Sequence, residues 1–126
     1  MKYSIIGIDF DATIATEEYP GIGSLIPLAK ETINWLASTG RTIIIWSCRE
    51  GVYKNDAIDW LDRNGIMWHY FNSNDPRRTE KYGSDSRKVG CDLYIDDKNL
   101  YSKVIGDEVD WELTRLYLEI LIKNDE

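Results

Sequence analysis

Two acidic pairs stand at the ends of apolar runs. In "IIGIDFDATI", residues 5–14, Asp9 and Asp11 follow one such run, and in "LYIDD" Asp96 and Asp97 close another. Ser47 ends a third run, "TIIIWS", and Lys88 precedes the last one. Carboxylates gathered in one place repel: two unit charges about 4 Å apart cost roughly 4 kcal/mol at an effective dielectric near 20. A fold keeps such a cluster when a cation sits in it or when one group carries a proton. All-oxygen ligation of this kind suits Mg²⁺.

The elements that must position these groups alternate. Residues 3–8 read as a strand, followed by a polar, Gly-containing loop. A helix is expected from near Pro27, a residue suited to the first helical position, with Leu28, Ile33, Leu36 and Ala37 toward one face and Gly40 past its end. "RTIIIWS" reads as a strand buried on both faces, as in a parallel sheet. A second helix is expected over about 53–63. "IMWHYF" then reads as a third strand, 72–88 as a long polar stretch, "DLYID" as a fourth strand and "VDWELTRLYLEILIK" as a closing amphipathic helix. Strands alternating with helices predict an α/β chain with a mostly parallel sheet. Right-handed crossovers lay strands one, two and three side by side, and the fourth returns beside the first, giving the order 3-2-1-4. Ligands in such sheets bind beyond the strand carboxyl ends where the order reverses. Asp9 and Asp96 both end there.

The 126 residues allow one domain, here 1–126, and a chain of this size buries about two thirds of its unfolded surface without staples. A net charge of -7 with no long basic face argues against general nucleic-acid binding. Cys48 and Cys91 are too few for a disulfide framework and read as free buried thiols of a cytoplasmic protein. No apolar stretch is long enough to predict a leader or a membrane span.

"IDFDATI" resembles the first motif of the haloacid-dehalogenase-like (HAD) hydrolases, a hydrophobic strand ending in Asp-x-Asp-x-Thr/Val. "TIIIWS" is similar to the second motif, Lys88 to the third and "LYIDD" to the fourth. The four occur in order across residues 5 to 97. One departure is Ala12, where phosphatase members usually carry Gly.

The resemblance implies a three-layer Rossmann-like fold and a Mg²⁺-dependent phosphatase acting through an aspartyl-phosphate. Asp9 would be the nucleophile and a metal ligand. Asp11 would be the general acid and then base, its backbone carbonyl a second ligand. Asp96 would be the third ligand, with Asp97 sharing the metal or holding its water. Ser47 would hydrogen-bond a phosphate oxygen, and Lys88 would neutralise the nucleophile and the transferred group. Thr13 would order the turn. With only a loop and one helix before strand two, the chain resembles the capless members, its crevice open unless the 14–26 flap, the 72–88 loop or a second copy of the chain covers it.

Other readings of single residues stand beside these. Arg49 either touches the substrate or braces its loop. Arg77, Arg78 and Arg87 read as a solvated loop, His69 as packed, and Trp35, Trp60 and Trp111 as core or edge packing. A receiver domain would need an aspartate ending the third strand, which "IMWHYF" lacks. A cysteine phosphatase would need an arginine six residues past its cysteine, where Lys54 and Asp97 stand. The remaining rival to a phosphatase is a catalytically weak phosphate-binding or regulatory protein of the same fold.

Overall fold

The computed structural model describes residues 1–125. Four strands form one all-parallel sheet in the order β3-β2-β1-β4: β1 (Ile5–Ile8), β2 (Thr42–Ile45), β3 (Tyr70–Phe71) and β4 (Leu93–Ile95). Ile8 lies level with Ile45 on one side and Ile95 on the other, so the three central strands end together. Every residue of β1 is buried, as are the three isoleucines of β2, which is why these runs are apolar without alternation.

The two sheet faces are covered unequally. Ile6, Ile8, Ile43, Ile45 and Phe71 face the main core beneath α1 (Ala29–Ser38), α2 (Gly51–Arg63) and the closing helix. Helix α1 contributes Ala29, Ile33 and Leu36 to that core at helical spacing. The opposite face, with Ile5 and Ile44, is covered by Val89, Cys91 and Tyr94 in a thin third layer. Gly7 faces that side, and a Cβ there would lie 2.7 Å from the Cys91 sulfur. The glycine is what lets the covering segment lie against the sheet.

Several local expectations give way. Helix α1 starts at Ala29, because Leu28 takes a left-handed conformation (φ 69°) that turns its side chain into solvent. The third strand is two residues long. The His69 side chain accepts the Ile43 N–H at Nδ1 (2.9 Å), a bond the strand ladder would otherwise make. The polar stretch contains a helix, α3 (Pro76–Tyr82), opened by Asp75 accepting from the Arg77 N–H and closed by Gly83 at φ 75°. A short α4 (Leu100–Ile105) follows β4, capped by Asn99, and α5 (Trp111–Asp125) closes the chain. Cys48 is exposed rather than buried, since it lies past β2 in the loop. Burial pushes the half-buried Cys91 thiol up to about 11. No helix among the described residues is long and apolar enough to cross a membrane.

Candidate metal and phosphate site

The carboxyl ends of β1 and β4 meet because Asp9 donates its N–H to the Ile95 carbonyl (2.9 Å). Asp9, Asp96 and Asp97 each offer an oxygen, and these oxygens lie within 4.8 Å of one another. Thr13 ties the two strand ends together. Its buried hydroxyl donates to Asp9 Oδ2 (3.1 Å), lies 3.3 Å from Asp97 Oδ1 and accepts the Asp97 N–H (3.1 Å). The turn carrying Thr13 is braced from α5, whose buried Trp111 donates its indole N–H to the Thr13 carbonyl, while Val109 N–H reaches the Ala12 carbonyl at 3.0 Å. Ala12 itself sits at φ 59°, the left-handed region that favours glycine.

The cluster carries the strain its charges predict. Burial above all, then a hydrogen bond to Asp97 and the charge of Asp96, push Asp9 up to about 8. Burial, with Asp97 close by, also raises Asp96. Burial works against ionisation of Asp97 too, but hydrogen bonds from Asp9 and Lys98 outweigh it and hold this carboxyl below its ordinary value. The surroundings thus favour the protonated form of Asp9 and the ionised form of Asp97. Hard oxygen donors at this spacing fit a divalent cation.

The cations beside the cluster are Lys98 and Lys103, at 3.1 and 3.7 Å from Asp97 Oδ2. Lys88 is exposed, with its ammonium 5.0 Å over the Tyr94 ring, and among the described residues no ion pair joins it to Asp9. Ser47 is half-buried past the end of β2. Its Oγ accepts the Arg49 N–H (3.1 Å), and its backbone is held on both sides by the Asn72 amide, at 2.8 Å each. The hydroxyl proton of Ser47 stays available to a ligand. A cleft of about 490 Å³, bordered by Ala12, Thr16, Glu17, Lys98 and Lys103, opens beside Asp97.

Arg49 answers its question as a brace. It is 1% exposed. Nε and Nη2 bind the two oxygens of Asp11 at 2.8 and 2.7 Å. Nη1 reaches the carbonyls of Pro20 and Tyr53, and Nη2 that of Gly21. The guanidinium carbon also lies over the Phe10 and Tyr19 rings, 5.3 and 5.0 Å from their centroids. With its donors committed, Arg49 joins the first acidic pair to the 14–26 flap and to α2, and it does not face a ligand. Asp11 consequently stands apart from the three-carboxylate cluster.

No family model and no curated protein matches the chain. A solved structure does match. A conserved protein from Bacteroides thetaiotaomicron superposes with a TM-score of 0.76 over 97% of this chain and 91% of its own, at 35% sequence identity. The chain belongs to the family of that conserved protein. The match extends over nearly the whole chain, so the fold is shared with that protein.

Lys98, Lys103, Asn72 and Trp111 escaped the sequence reading as site residues. Lys98 adjoins Asp97 and carries a local signal. Asn72 and Trp111 lie 25 and 98 residues from the groups they hold, and nothing local marks them.

Proposed function

We propose that the chain is a Mg²⁺-dependent phosphatase of the HAD type, acting on phosphomonoesters through an aspartyl-phosphate on Asp9. One observation carries the reading: oxygens of three carboxylates converge within 4.8 Å of one another at the carboxyl ends of β1 and β4, at the switch point of the sheet. Asp9, Asp96 and Asp97, with the Asp11 carbonyl, would hold the metal. A bound Mg²⁺ would neutralise phosphate oxygens and orient the phosphorus toward Asp9.

Asp9 must attack as a carboxylate, and a bound cation would favour that ionised form. An Asp9 oxygen then bonds to phosphorus as the bond to the ester oxygen breaks, and that oxygen takes a proton from Asp11, whose carboxyl must first part from Arg49. Water then gives a proton back to Asp11 and attacks phosphorus, breaking its bond to the Asp9 oxygen and releasing inorganic phosphate and the Asp9 carboxylate. Ser47 donates its hydroxyl to a phosphate oxygen. Lys98 supplies the positive charge nearest the cluster, and Lys88 reaches the phosphate only by leaving Tyr94. Thr13 keeps Asp9 and Asp97 at fixed separation.

A second reading, a phosphate-binding protein of weak turnover, draws on Arg49. Proton transfer by Asp11 needs one of the oxygens that Arg49 occupies. Hydrolysis of an aryl phosphate with Mg²⁺ and with chelator, in wild type and in Asp9→Asn, separates the two. The phosphatase reading expects metal-dependent turnover abolished by the substitution. Tight binding of vanadate or beryllofluoride without turnover supports the second.

A further inference from the structure

One buried carboxylate is placed to serve two kinds of cation. Asp97 is 2% exposed and offers an oxygen to the three-carboxylate cluster. Its Oδ1 lies 3.3 Å from the Thr13 hydroxyl. Its Oδ2 takes two ammonium groups, that of Lys98 at 3.1 Å and that of Lys103 at 3.7 Å. Lys98 stands in the turn after β4 and Lys103 on α4, so the two reach the same oxygen from different elements. A buried carboxylate needs positive charge beside it, and these two side chains supply it.

We infer that Lys98 and Lys103 are displaceable counter-ions: they hold Asp97 in the metal-free chain, leave it when a divalent cation binds the cluster, and then meet an anion in the adjoining cleft. The inference rests on reading the cluster as a divalent-cation site and not on turnover. The Lys98 side chain is 78% and the Lys103 side chain 37% exposed, so neither is locked in place, and ion pairs open to solvent are weak. Carboxylate oxygens hold a divalent ion more strongly than an ammonium, and two cations within a few ångströms of that ion are repelled by it.

The cleft of about 490 Å³ beside Asp97 is where the released groups go, since both lysines line it. Its other charged residues are Glu17, Asp97, Asp107 and Glu108, so Lys98 and Lys103 are the cations of its lining. An anion entering there against four carboxylates depends on those two ammonium groups. Cation and anion therefore favour each other's binding, and the coupling is reciprocal.

Calorimetric titration with Mg²⁺ alone, in wild type and in Lys98→Met/Lys103→Met, tests this, together with vanadate titration at saturating Mg²⁺. Both side chains lie at the surface, so the variant should keep its fold, which circular dichroism checks. Lys30→Met/Lys81→Met controls for the general loss of two positive charges, because Lys30 lies beside Gly65 and Lys81 over the Tyr82 ring. The expected result is Mg²⁺ bound about tenfold more tightly by the variant, and vanadate about tenfold more weakly. A merely structural role for the lysines would weaken both. A gain in Mg²⁺ affinity no larger than in the control overturns the inference, and so does unchanged vanadate binding. Either failure leaves Mg²⁺ binding by wild type in place. No Mg²⁺ binding by any of the three proteins would instead overturn the cation-site reading, and the inference with it.

Discussion

Arg49 grips both carboxylate oxygens of Asp11 from 38 residues away, with Nε at 2.8 Å and Nη2 at 2.7 Å. The guanidinium is buried and the carboxylate partly so, and removing either partner leaves the other without its ion pair. Arg49→Met and Asp11→Asn should each destabilise the chain by about 3 kcal/mol, as loss of one member of a buried pair does. The double variant should cost much less than the sum, because the second loss strands nothing further. Urea unfolding of the four proteins measures the coupling. Simple additivity would show that the pair does not form in solution.

Asp9 ties stability to pH in the metal-free chain. Its carboxyl is raised from 3.8 in the unfolded reference to about 8 in the fold. Between those values the folded chain holds a proton that the unfolded chain has lost. Its contribution to stability is full below the unfolded value and disappears as pH rises through about 8. In chelator, the melting temperature should fall by about 5 °C or more between pH 5 and pH 8 from this term. Saturating Mg²⁺ should flatten the slope, since the cation replaces the proton. A melt in chelator that is level across this range, after correction with Asp9→Asn, contradicts the raised Asp9 carboxyl.

Asp96→Asn separates a metal cluster from four unconnected turn aspartates. Removing one charge from the cluster should raise the melting temperature in chelator and erase most of the gain from Mg²⁺. In wild type that gain is about 2.7 kcal/mol at a hundred times the dissociation constant. Had Asp96 served only as a turn cap, its loss would cost about 1 kcal/mol and leave the metal response intact.

Lys98 and Lys88 compete for one role, and substitution ranks them. Lys98 is 3.1 Å from Asp97, whereas Lys88 lies over Tyr94. Lys98→Met should weaken vanadate binding about tenfold or more, and Lys88→Met by less, in titrations with Mg²⁺ present. The reverse order would mean that Lys88 leaves the ring when an anion arrives.

The ends of the strands were readable because a parallel sheet writes them as unbroken apolar runs closed by polar groups: Ile5–Ile8 before Asp9, Ile43–Ile45 before Ser47, Ile95 before Asp96. Helix α3 was less visible, although Asp75, Pro76 and Gly83 are cap signals. It buries no residue, so no apolar period accompanies them. The third strand was overestimated because "IMWHYF" looks uniformly apolar, while His69 spends its side chain on the bond a ladder would make. The bracing role of Arg49 had no local signature, since its partners Asp11, Pro20 and Gly21 come near only through the fold.

Ala12 offers a test of the turn that aims Asp9 and Asp11. Its φ of 59° places an L-residue in the left-handed region, which costs about 1 kcal/mol that glycine avoids. Against this, Ala12→Gly loses a buried methyl worth about 0.8 kcal/mol and adds freedom to the unfolded chain worth about 0.5–1 kcal/mol. The terms nearly cancel, so Ala12→Gly should fall within about 1 kcal/mol of wild type. Ala12→Val should differ sharply, because a β-branched residue is a steric outlier at positive φ and this position is 5% exposed. A loss of more than about 2 kcal/mol is expected for valine. Urea unfolding of both variants decides it: glycine behaving as badly as valine would mean that Ala12 does not adopt this conformation, and the turn linking the two aspartates would have to be redrawn.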